Sequence, residues 1–71
     1  MKSPQISGLE LIKKLRYFGF VVVRQKGSHI RLEKNTLGST IKITVPNHPT
    51  LKTGTLHRIL KDAGLQVEDI I

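Results

Sequence analysis

The chain has no cysteine, which excludes disulfides, zinc knuckles and thiol nucleophiles. It is also poor in acid: Glu10, Glu33, Asp62, Glu68 and Asp69 are the whole set. Metal-dependent nucleases need carboxylates that converge, and no two of these are placed as a pair. The histidines, His29, His48 and His57, include no i, i+4 pair that would seat a metal on a helix. No cofactor and no metal are expected. Long apolar runs are missing as well. The longest, near residues 18–23, is far too short to span a bilayer. No apolar segment of a secretory signal follows Met1, Lys2, Ser3 and Pro4. A membrane-surface helix would need a strongly apolar face with aromatic anchors, and none is present. The expectation is a soluble cytoplasmic protein without a membrane partner. Aromatic residues number one tyrosine and two phenylalanines, too few to recognise single-stranded nucleic acid by stacking alone.

What is abundant is positive charge. Lysine and arginine total 12 against 5 acidic residues, a formal net charge of +7. Such an excess favours polyanions, nucleic acid first, with an acidic protein as a further class of partner. The chain has 71 residues, and one domain spanning residues 1–71 is expected. At this size roughly 60% of the unfolded surface is buried on folding, which leaves no room for a deep substrate cavity. Recognition should occur on an open face.

Ser7 followed by Glu10 forms a capping-box pattern, with Ile6 and Leu11 placed as a hydrophobic staple. Leu11, Ile12, Leu15 and Phe18 recur at helical spacing, opposite Glu10, Lys13, Lys14 and Tyr17, and Gly19 ends the helix. Residues 20–25 are rich in β-branched side chains and run into Lys26 and Gly27, which predicts a strand and a tight turn. From residue 29 to 34 the pattern alternates, so Ile30 and Leu32 face the core while His29, Arg31 and Glu33 face away. Residues 35–39 supply a turn, and Ile41, Ile43 and Val45 alternate with Lys42 and Thr44 in a third strand ending at Pro46. Pro46, Asn47, His48 and Pro49 form a loop. Thr53 is the expected N-cap of a second helix in which Leu56, Ile59, Leu60 and Ala63 share a face, closed by Gly64. Residues 66–71 add a short terminal turn. The order is α-β-β-β-α. The fold class is therefore α+β, a three-stranded antiparallel meander with both helices on one face, the arrangement of double-stranded-RNA-binding domains. Fold alone does not establish function, so residues must.

His29 stands where a short turn meets a strand, on the face away from the core, with Arg24, Arg31 and Lys42 expected nearby. Such cations attract phosphate, and an imidazole among them is suited to proton transfer near neutral pH. The alternative for a lone histidine is an exposed strand residue with no role. Ser28 is adjacent but projects to the other side of an extended strand, so the two do not form a nucleophile–base pair. Gly27 and Ser28, with Lys26, instead offer backbone and hydroxyl donors to phosphate in a turn that lets the backbone approach closely. The start of the second helix, with Lys52, Thr53 and Thr55, presents free N–H groups and a positive dipole end. Ordinary capping is the alternative for Thr53. His48 is expected near His29 in a secondary role, and His57 at the surface. Lys13 and Lys14 could extend the footprint, or be merely a solvated face.

The run Gly19-Phe20 with Val23-Arg24-Gln25-Lys26-Gly27-Ser28-His29, then Val45-Pro46-Asn47-His48, then Gly54-Thr55-Leu56 with Ile59-Leu60, resembles the HicA toxin family over nearly the whole chain. The resemblance implies a messenger-RNA interferase of a bacterial toxin–antitoxin pair with a double-stranded-RNA-binding-like fold. It implies a catalytic histidine in the Gly-Ser-His element, which falls on His29, and a HicB-type antitoxin as partner. The chain departs from the family in its short tail after Gly64. The function expected is a metal-independent endoribonuclease that binds and cleaves RNA. The alternatives are a non-catalytic RNA-binding module of the same fold, in which His29 only contacts a groove, and an interaction protein or DNA-binding subunit, against which stands the lack of a helix-turn-helix pattern.

Overall fold

A computed structural model of the chain describes residues 5–71, so the first four residues, read above for a targeting signal, lie outside it. Helix α1 runs Gly8–Tyr17, strands β1, β2 and β3 run Val21–Lys26, His29–Thr36 and Ser39–Pro46, helix α2 runs Thr53–Ala63, and a 3-10 turn, Val67–Asp69, follows. The α-β-β-β-α order and the antiparallel sheet agree with the expectation from periodicity. Sheet order is β1-β2-β3, with β2 in the middle.

The alternation in β2 and β3 explains why the helices share one face. Ile30, Leu32, Ile43 and Val45 are buried on that side, and Leu11, Ile12 and Leu15 of α1 and Leu56, Ile59 and Leu60 of α2 close over them. Both helices contact β3. Among the described residues, no element covers the opposite face of the sheet. Burial of this aliphatic cluster is the main drive to fold, at about 25 cal/mol per Å² of apolar surface removed from water. Among the described residues, no helix is long and apolar enough to cross a membrane.

Local signals place the ends of α1. Ser7 Oγ accepts from Glu10 N–H, and the Glu10 carboxylate accepts from Ser7 N–H, each at 3.1 Å, completing the capping box. This pair satisfies two of the N–H groups that a helix start leaves without partners. Several boundaries differ from expectation: β1 runs on through Lys26, and the turn expected over residues 35–39 shrinks to Leu37 and Gly38, because Asn35 pairs with Thr40 and Thr36 with Ser39 across the hairpin. The first strand begins at Val21 rather than residue 20, because Phe20 is drawn into the core, where it is only 1% exposed. The N-cap of α2 is Lys52, with no side-chain cap bond, and Thr53 is the first helical residue. Thr53 therefore leaves the cap to a residue whose side chain cannot accept a hydrogen bond.

Candidate nucleic-acid interface

The uncovered face of the sheet is organised in rows across the three strands. One row joins Lys26, His29 and Pro46, and the next joins Arg24, Arg31 and Thr44. A third joins Val21, Glu33 and Lys42. Direct partners on one face stand about 5 Å apart and successive rows about 7 Å apart. The first two rows enclose a shallow pocket of about 190 Å³, lined by Arg24, Lys26, His29, Arg31 and Thr44. Three cations, an imidazole and a hydroxyl meet there, and no acidic side chain is among them. The third row closes the patch with Glu33 opposite Lys42.

Two backbone features create this pocket. A β-bulge between Val22 and Arg24 leaves Val23 without a ladder partner. Strict alternation from Val21 would turn Arg24 toward the helices; the extra residue brings Arg24 and Lys26 onto the face shared by His29 and Arg31. Bulges re-aim side chains in this way. The second feature is the tight β1–β2 turn, in which Lys26 pairs with His29 around Gly27 and Ser28. Gly27 takes φ +60° while Ser28 does not enter the positive-φ region, the pattern of a turn with glycine at its first central position. His29 thus opens β2 at the rim of the sheet, exposed.

The turn is tied to the rest of the chain by backbone bonds. Asn47 N–H donates to Ser28 carbonyl at 2.6 Å, and Gly8 N–H donates to His48 carbonyl at 2.9 Å. The loop after β3 is therefore fastened on one side to the His29 turn and on the other to the start of α1. Gly8 is required for the second fastening, since a Cβ there would run into the carbonyl oxygen of Pro46. Sequence reasoning missed Gly8, because a glycine at a helix start is unremarkable until the loop behind it is known.

The remaining sequence-selected residues are distributed as follows. Gly27 and Ser28 form the turn beside the pocket but do not line it. His48 is exposed in the loop two residues beyond Pro46, the partner of His29, and is not part of the pocket wall. Lys42 and Thr55 line a different groove, between β3 and α2, and Lys52 and Thr53 lie exposed at the start of α2. Lys13, with Arg16 and Tyr17, borders a shallow depression on α1, where Tyr17 is 82% exposed. Lys14 and His57 are exposed on their helices. Thr44 was not singled out, although its place between Lys42 and Pro46 on the outward face was readable from alternation. Among the described residues, no three His, Asp or Glu side chains come together as a metal-binding group.

Such an arrangement can hold a phosphodiester by charge and hydrogen bonding and can put one titratable group beside it. Comparison with protein families finds that the model described as the HicA toxin of bacterial toxin–antitoxin systems matches residues 8–65. No curated protein matches the chain.

Proposed function

The chain belongs to the HicA toxin family, whose members are generally ribonucleases, and from that premise we propose that it is a metal-independent endoribonuclease, an mRNA interferase, with His29 as its general acid or base. The observation that carries this reading is the exposed imidazole of His29 in a pocket shared with Arg24, Lys26 and Arg31. RNA supplies its own nucleophile. The ribose 2′-oxygen attacks the adjacent phosphorus, an O2′–P bond forms, and the P–O5′ bond breaks. The 2′-hydroxyl proton leaves to a base, and the departing 5′-oxygen gains a proton. The products are a 2′,3′-cyclic phosphate and a 5′-hydroxyl end. The protein need only orient the backbone, neutralise charge and move a proton.

In this scheme the three cations and the Thr44 hydroxyl hold the non-bridging phosphate oxygens, and charge developing on phosphorus is offset by donors already in place. His29 takes the 2′-hydroxyl proton or donates to the leaving 5′-oxygen. Gly27 and Ser28 add turn donors, and His48 a secondary contact. Lys42, Lys52, Thr53 and Thr55 bind the RNA farther along. A HicB-type antitoxin protein binds the toxin and silences it, and both act in the cytoplasm.

The decisive experiment compares wild type with His29→Ala on a defined RNA. Cleavage should fall by about 10² to 10⁴, the usual value of general acid–base help, while binding of a non-cleavable RNA is kept within a few-fold. Undiminished cleavage by purified His29→Ala would remove the histidine mechanism. RNA binding without cleavage by the wild type would leave a non-catalytic RNA-binding module.

A further inference from the structure

Thr44 lines two cavities. On one side it borders the His29 pocket, and on the other a groove of about 360 Å³ between β3 and α2. We propose that this groove is a second nucleotide subsite, holding the RNA backbone next to the scissile phosphate, with the strand passing from the His29 pocket over Thr44 and around the edge of the sheet. This inference rests on the ribonuclease reading above and extends it to a path.

The walls of the groove have the chemistry for a ribose-phosphate. Lys42 and Arg58 bring two cations, Thr44 and Thr55 bring hydroxyls, and the floor is formed by Ile43 and Ile59, which are 4% and 5% exposed. An apolar floor with polar walls matches a sugar and base edge lying flat with the phosphate turned to the rim. β3 is an edge strand, so part of its backbone N–H groups have no partner within the sheet and can serve the same ligand. Arg58 is on the exposed side of α2. Its guanidinium presents a planar fork of donors suited to phosphate.

Continuity with the first pocket argues for RNA rather than an unrelated anion. A strand whose scissile phosphate sits beside His29 must leave the pocket in some direction. Toward the start of β1 it meets three exposed valines, Val21, Val22 and Val23, which offer a phosphate nothing. Along β2 into the third row it meets the carboxylate of Glu33, which stands across from Lys42 on β3. Past Thr44 it meets Lys42 and Arg58. Asp62, one turn beyond Arg58 on α2, also lines the groove. Its carboxylate opposes a phosphate and marks the far limit of the path.

The test uses the full chain and an RNA made non-cleavable by a 2′-deoxy substitution at a mapped scissile position. Arg58→Gln should bind this RNA roughly three- to tenfold more weakly, and its plot of log K against log salt should flatten by about 0.7 to 0.9, the effect of one lost phosphate contact. Shortening the RNA on the flank that occupies the groove should weaken wild type and leave Arg58→Gln almost unaffected. Asp62→Asn should bind more tightly than wild type, a gain that misfolding does not produce. An Arg58→Gln protein with wild-type affinity and salt slope overturns the subsite while wild-type cleavage leaves the ribonuclease reading standing. Unchanged RNA affinity with lost binding of an acidic protein partner assigns the groove to protein and overturns it equally. A wild type that neither binds nor cleaves RNA removes the ribonuclease reading and the subsite together.

Discussion

Arg24 on β1 and Arg31 on β2 are direct partners across the ladder, two cations held side by side on an open sheet face. Like charges directly opposite one another are destabilising. The fold tolerates this pair, and a bound phosphate would relieve it. Arg24→Gln should therefore melt at a slightly higher temperature than wild type in low-phosphate buffer and bind RNA less well. Inorganic phosphate at matched ionic strength should raise the melting temperature of wild type more than that of the variant. A variant that melts below wild type would count against the like-charge account.

Salt dependence tests the electrostatic footprint as a whole. If the basic pocket and the residues around it hold four to six phosphates, log K should fall against log salt with a slope of roughly −3 to −5. Titrations of non-cleavable RNA over a range of potassium chloride measure this directly. A flat response would contradict recognition by charge.

Gly8 offers a test of how the site is held. Adding one methyl group forces a Cβ against the backbone of Pro46, which no rotamer change can relieve. Gly8→Ala should cost about 1 to 3 kcal/mol, in the range of overpacking within a tight contact, although alanine is the better helix former. Chemical denaturation gives the stability difference. Because the same loop is bonded to Ser28, cleavage by the folded fraction should fall as well. Gly54, at the second position of α2 with open space where a Cβ would sit, is the control: Gly54→Ala should be neutral or mildly stabilising.

The capping box gives a dependence on pH. Hydrogen bonds from the Ser7 backbone and side chain hold the Glu10 carboxyl below its ordinary value, and Lys14 adds to this, while slight desolvation opposes them. A carboxyl whose pKa is lower folded than unfolded contributes stability above its unfolded pKa, and the contribution is lost as pH falls through the folded pKa. Thermal stability should therefore decline on acidification below about pH 4.5, the ordinary value for this group. Glu10→Gln, which keeps a cap but cannot ionise, should show a smaller decline over the same interval. An identical acid limb in both proteins would assign the decline to other carboxylates.

Much of this molecule was legible in local patterns. Ser7 and Glu10 are three residues apart, and a capping box needs nothing beyond that spacing. Leu11 with Leu15, and Leu56 with Leu60, repeat at helical period, and Ile30, Leu32, Ile43 and Val45 alternate, so the buried faces could be named before any coordinates. The strand at residues 20–25 was one residue out because periodicity cannot tell a strand's first residue from a core aromatic just before it. Thr53 was placed one position too early, as the cap rather than the first helical residue. Boundaries of this kind depend on how the preceding loop approaches.

The order of elements, the aliphatic core, the excess of positive charge and the outward face of His29 follow from the residue pattern alone, because each depends on composition or on contacts between near neighbours in the chain. Which cations stand beside that histidine was set by the folded chain, since the bulge at Val23 reverses the facing of Arg24. The fold alone placed Thr44 between two cavities and set Gly8 against Pro46. These are relations between segments distant in sequence, and no local pattern encodes the register that brings them together.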